Sequence, residues 1–103
     1  MQLRVTRTDG AVQVRGSAAT GHAGPFDVEL VHFIPVQRVQ ITRGENAGRT
    51  LIYTNIVTRI ETLATWDGRG PLAVDAPMKE GQSGVIMIQT AETGRIISAR
   101  RIR

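Results

Sequence analysis

Apolar and polar residues alternate along most of this chain, a period of two that puts every second side chain on one face of a strand. Leu3 and Val5 flank Arg4, Val12 and Val14 flank Gln13, and Thr8-Asp9-Gly10 lies between the two runs. Asp-Gly in that position predicts a tight hairpin, because glycine accepts the positive φ such a turn requires. Beyond a Gly/Ala/Ser loop from Ser17 to Pro25, Phe26, Val28 and Leu30 alternate with Asp27 and Glu29 and lead into Val31-His32-Phe33-Ile34. Pro35 is expected to interrupt that strand, since proline has no N–H to give to a ladder. Val39 and Ile41 then alternate with Arg38, Gln40 and Thr42, and Arg43 to Arg49 forms a polar loop with two glycines.

Thr50 to Trp66 admits two readings. Leu51, Tyr53 and Asn55 keep strand spacing, whereas Ile56, Ile60 and Leu63 would share a helical face, so strand and helix stay open over residues 54–66. Five threonines and the β-branched Ile52, Ile56, Val57 and Ile60 favour a long, bulged strand. Asp67 to Pro71 reads as a turn and Leu72-Ala73-Val74 as a short strand. A closing hairpin runs from Val85 to Gln89, turns at Ala91 to Gly94 and returns from Arg95 to Ile102. Seven or eight short strands predict an all-β fold, an antiparallel sandwich or barrel, with residues 1–103 as one domain.

Composition adds limits. At 103 residues with 41% apolar content the chain supports one core, and so small a domain leaves much of its surface wet and open to support from a partner. Thirteen Lys and Arg against nine Asp and Glu give a net charge of +4, and Lys79 is the only lysine. Arginine forks suit carboxylates and phosphates, although the coding bias of a GC-rich genome would produce the same excess. The charges cluster only at Arg95, Arg100, Arg101 and Arg103, a basic tail of the kind that is ordinarily solvated. With no cysteine there is no disulfide, thiol nucleophile or cysteine-held metal. No segment approaches the roughly 20 apolar residues of a membrane span. The first residues alternate at once and hold no signal-peptide core, so the chain as written is expected in the cytoplasm if Met1 is the natural start.

Candidate chemistry is sparse. His32 shares a face with Phe26, Val28 and Leu30 and is expected to be partly buried and bonded to backbone, while His22 lies in a loop. Without a third convergent ligand the two do not make a zinc site, and neither metal nor other cofactor is expected. Ser17, Ser83 and Ser98 stand outside any Gly-x-Ser-x-Gly elbow, and Ser17 and Ser83 read as turn residues. Nine acids offer no distinguishable catalytic pair. No catalytic residue is nominated, and the chain alone is expected to be non-catalytic.

Gly44 to Thr50 is one residue short of a Walker loop, has Arg49 where lysine belongs and runs into a threonine-rich strand. It is therefore read as a polar connection in which Gly44 and Gly48 meet a positive φ or a close backbone approach. Arg43, Glu45, Asn46 and Arg49, with Tyr53 and Asn55 on the strand that follows, are the candidate contact residues. The plainer alternative is a hairpin connection closed by an internal salt bridge. Single-strand nucleic acid is not expected, because stacking needs exposed aromatics and at least two of Phe26, Phe33, Tyr53 and Trp66 are needed inside.

The run from Arg43 to Val57, continuing to Trp66, resembles the signature of the domain of unknown function 1223 family of bacterial secreted proteins. Strands at Phe26 to Phe33, Val39 to Ile41, Pro71 to Val74 and Val85 to Gln89 are similar to its C-terminal, β-rich part. The resemblance implies a parent with a signal peptide and a thioredoxin-like part carrying Cys-x-x-Cys, which no position here matches. It implies a periplasmic or secreted parent and an accessory domain packed against the thioredoxin-like one, with self-association kept open. The alternative is a free-standing sandwich that binds an anionic or carbohydrate ligand.

Overall fold

The computed structural model describes residues 1–103 as seven strands and no helix. They are β1 (Leu3–Thr8), β2 (Ala11–Gly16), β3 (Phe26–Gln40), β4 (Thr50–Trp66), β5 (Leu72–Pro77), β6 (Ser83–Thr90) and β7 (Ile96–Arg101). Every pairing is antiparallel, in one sheet ordered β1-β2-β5 and a second ordered β4-β3-β6-β7. The sheets pack face to face and neither closes on itself, so the fold is a sandwich and not a barrel.

The alternation read from the sequence builds the core. Leu3, Val12, Val14, Leu72 and Ala76 come from the first sheet and Phe26, Val28, Leu30, Ile86 and Ile88 from the second, all buried. Trp66 closes one end against Phe26, with ring centroids 5.7 Å apart and planes tilted by 42°. That arrangement adds about 0.5–1.5 kcal/mol to the area both rings bury. Arg7 of β1 also holds the β5–β6 connection, donating to the Gln82 carbonyl and reaching the Met78 sulfur at 3.7 Å.

Two expectations change in the structure. Pro35 does not interrupt β3, so the Val31 and Val39 runs belong to one 15-residue strand. Its ladder to the neighbouring β6 stops at the pair of Phe33 with Ser83. From Ile34 onward β3 is an edge strand with one ladder, where a missing N–H is tolerated. Ser83 begins β6 and is not a turn residue. Thr50 to Trp66 is one strand of 17 residues, with register shifts opposite Val28/Glu29 and His32/Phe33, which removes the helical reading.

The molecule is long, with extents of 55 × 33 × 17 Å and a radius of gyration of 17.1 Å. A compact chain of this length has about 13 Å. Its accessible surface is 7001 Å², whereas a compact monomer of this mass exposes about 5,700 Å². The excess comes from β3 and β4, which run on past the sandwich as a two-stranded arm.

Candidate functional site

Neither face of the arm is covered. Directly opposed residues share a face, so Ile34 with Ile56, Val36 with Thr54 and Arg38 with Ile52 continue the inner, core-facing side. On the outer side, Gln37 with Tyr53 and Val39 with Leu51 continue the rungs of Val31 with Ile60 and Phe33 with Val57 at the arm's root. Ile52, Val57 and Ile60 are 62%, 55% and 57% exposed, and Val36 and Tyr53 are about as open. A hairpin with no third strand and no packed face is marginal in water.

The tip is held by backbone. Ile41 N–H donates to Arg49 O at 2.9 Å and Gly48 N–H to Ile41 O at 2.8 Å, while Ala47 N–H reaches Gly44 O at 3.1 Å. Gly44 and Gly48 take φ values of 88° and 87°, and a side chain at either would meet nothing within 4 Å. The turn needs their positive φ, not a close approach. The salt bridge suggested for this loop does not form, because the ion pairs of the molecule are Arg15–Asp75, His32–Glu61 and Arg59–Glu61. Arg43, Glu45, Asn46 and Arg49 all face solvent, and Tyr53 stands on the outer face below them. Asn55 adopts a φ of 53° opposite Pro35, a left-handed conformation that asparagine tolerates better than its β-branched neighbours.

At the root of the arm the two bulges sort the side chains of β4. Leu63 and Thr58 are the extra residues, so the inner face reads Trp66, Ala64, then Glu61, Arg59, then Ile56, Thr54. Between the bulges the parity is reversed, and Glu61 and Arg59 meet His32 where Thr62 and Ile60 would otherwise stand. His32 Nε2 lies 2.7 Å from Glu61 Oε1, and Arg59 donates to the same oxygen at 2.7 Å. With Nε2–H donating to Glu61, the 3.2 Å approach of Arg59 to Nε2 is a contact between donors. His32 thus bonds to side chains, not to backbone as expected, although its own carbonyl accepts from Thr58 Oγ1 at 3.4 Å. Glu61 is held below the ordinary carboxylate value, first by the hydrogen bond from His32 and then by the charge of Arg59, with desolvation opposing. His32 and Ser83 line a shallow hollow of about 320 Å³ without bonding to each other.

The structure therefore brings the six nominated residues onto one projecting element, with the charged ones at its tip. Sequence reasoning missed the apolar rungs beneath them and the Glu61–Arg59 pair at its root.

These observations define a class: a seven-stranded antiparallel sandwich whose central hairpin extends into a bare apolar arm. The chain belongs to the family described as Protein of unknown function (DUF1223), which matches residues 1–89. No curated protein matches it. Among solved structures, Protein AGR_C_4864 from Agrobacterium tumefaciens is similar, with 22% identity over 96% of this chain and a TM-score of 0.75. That likeness concerns the fold. The chain spans 44% of the length of that protein.

Proposed function

We propose that this chain is a non-catalytic accessory domain that docks, through its β3–β4 arm, onto a further domain of a longer secreted protein. The observation that carries the reading is the arm itself, two-stranded and apolar on both faces with no cover. The surface beyond that of a compact monomer amounts to about 1,300 Å², more than the roughly 800 Å² each partner gives to a standard interface. The similar solved chain has more than half its length beyond the matched part, room enough for a covering domain. That the parent's covering domain is thioredoxin-like and that the parent is exported to the periplasm are part of this proposal, and both rest on the resemblance carried by residues 43–66. Tyr53 would anchor the contact, with Arg43, Asn46 and Arg49 at its polar rim.

The test uses the longer parent protein. Replacing Val57 with Asp, or Arg43, Asn46 and Arg49 together with Ala, is expected to split one cooperative melt into two and alter the parent's activity. An unchanged melt and activity in both variants would falsify the reading. A parent whose arm is buried against a second copy, seen as a dimer by sedimentation and lost on Val57→Asp, would reassign the arm to self-association.

A further inference from the structure

A second surface, independent of the arm, lies along the flank where β1, an edge of one sheet, comes alongside β7, an edge of the other. The groove there has a volume of about 790 Å³, within the range of small-molecule sites. Five arginines line it, Arg4, Arg15, Arg100, Arg101 and Arg103, and no acidic residue does. Its apolar lining open to a ligand is Val5 and Pro71, with the core residues Leu3 and Leu72 buried beneath.

The arginines are not equivalent. Arg15 is neutralised by Asp75 at 2.7 Å, a bond that raises its pKa further. Arg101 lies over the Phe33 ring, 5.1 Å from its centroid. Arg4, Arg100 and Arg103 have no carboxylate in ion-pair range. Arg4 is moreover the direct cross-strand partner of Arg15, both on the outer face of their sheet, from which Arg4 reaches the groove around the β1 edge, and like charges so placed oppose strand pairing. Asp75 answers one of the two charges and leaves Arg4 unanswered. Arg100 shares the inner face of its sheet with Ile86, so it leans toward the gap between the sheets and toward β1.

We infer that this groove binds a small ligand bearing a phosphate or sulfate group, held by Arg4, Arg100 and Arg103 with its apolar part against Val5 and Pro71. Guanidinium forks match the paired oxygens of such groups, and charge-assisted bonds of this kind are about twice as strong as neutral ones. The lining contains no aromatic residue, so it offers no stacking platform for nucleic-acid bases. The rival explanation is that the arginines only guard two exposed sheet edges against pairing with other chains.

Titrating the chain with inorganic phosphate, pyrophosphate and sulfate, at ionic strength held constant with chloride, separates these readings by amide chemical shifts. The inference expects saturable shifts confined to Gln2–Val5, Gly16, Leu72 and Arg100–Arg103, with phosphate and sulfate arms showing which group is preferred. Arg100→Gln combined with Arg103→Gln should weaken binding at least tenfold, whereas Arg69→Gln, outside the groove, should not change it. All three side chains are exposed, and equal melting temperatures would verify that the variants fold. Shifts that chloride reproduces, or that survive the double substitution, mean edge protection only and overturn the proposal. Binding of an acidic peptide where phosphate, pyrophosphate and sulfate all fail overturns it as well, in favour of a protein partner. None of these outcomes bears on the arm, whose docking stands or falls on other residues.

Discussion

Glu61 couples the fold to pH. In the unfolded chain it titrates near its ordinary 4.5, and in the folded chain lower, because His32 and Arg59 hold the charged form. The unfolded state takes up the proton first, so the stability Glu61 contributes is present above the ordinary value and is lost as pH falls through the lowered one. Urea midpoints measured from neutral pH into this acid range should fall more steeply for the native chain than for Glu61→Gln, and parallel curves would contradict the assignment. Placing His32 on the inner face needed only its spacing from Phe26, Val28 and Leu30. Its partners were not legible, since a bulge depends on the pairing of two distant segments and reverses which residues of β4 face it. Asn55 gave a fainter clue, a lone turn-former in a β-branched run.

At the scale of the element, β3 divides at Ile34. Its first half lies between β4 and β6, and its second half pairs with β4 alone. Local opening costs least where few buried contacts oppose it. Amide exchange should therefore show strong protection for Val28 to His32 and much faster exchange for Val36 to Gln40, with a sharp step between them. Uniform protection along β3 would mean that the arm is as stable as the sandwich. Alternation and turn residues made the strands themselves legible, including the long bulged β4. Pro35 misled because its cost depends on whether a third strand lies alongside, which nothing near it in sequence reveals. The arginine groove was hidden in the same way. Arg100, Arg101 and Arg103 read as a solvated tail, and only the meeting of β1 with β7 sets Arg4 near them.

In the whole molecule, stability and extension belong to different residues. None of the 13 core residues lies between Ile34 and Val57, yet that stretch sets the 17.1 Å radius of gyration. Replacing Gln37 to Tyr53 with a two-residue turn, which leaves the paired Val36 and Thr54 to flank it, should bring the radius by small-angle scattering toward about 13 Å. The melting temperature should stay within a few degrees, because the excised residues bury little. A large loss of stability would show that the arm supports the sandwich after all. For comparison, truncating a core side chain such as Leu30→Ala ordinarily costs about 2–5 kcal/mol.

The free side of β4 has one more consequence. It is an edge strand of 17 residues, and between Thr50 and Thr58 it carries neither a charge nor a proline to discourage a newcomer. Its two bulges lie toward the sandwich, and within the far half only Asn55, at a φ of 53°, departs from extended backbone. Unshielded, that half is a template on which a like strand adds rung by rung, the first step toward insoluble assemblies. Anything that covers this edge would thus also keep the chain soluble, and the time the isolated chain stays in solution measures how readily the edge recruits its own kind.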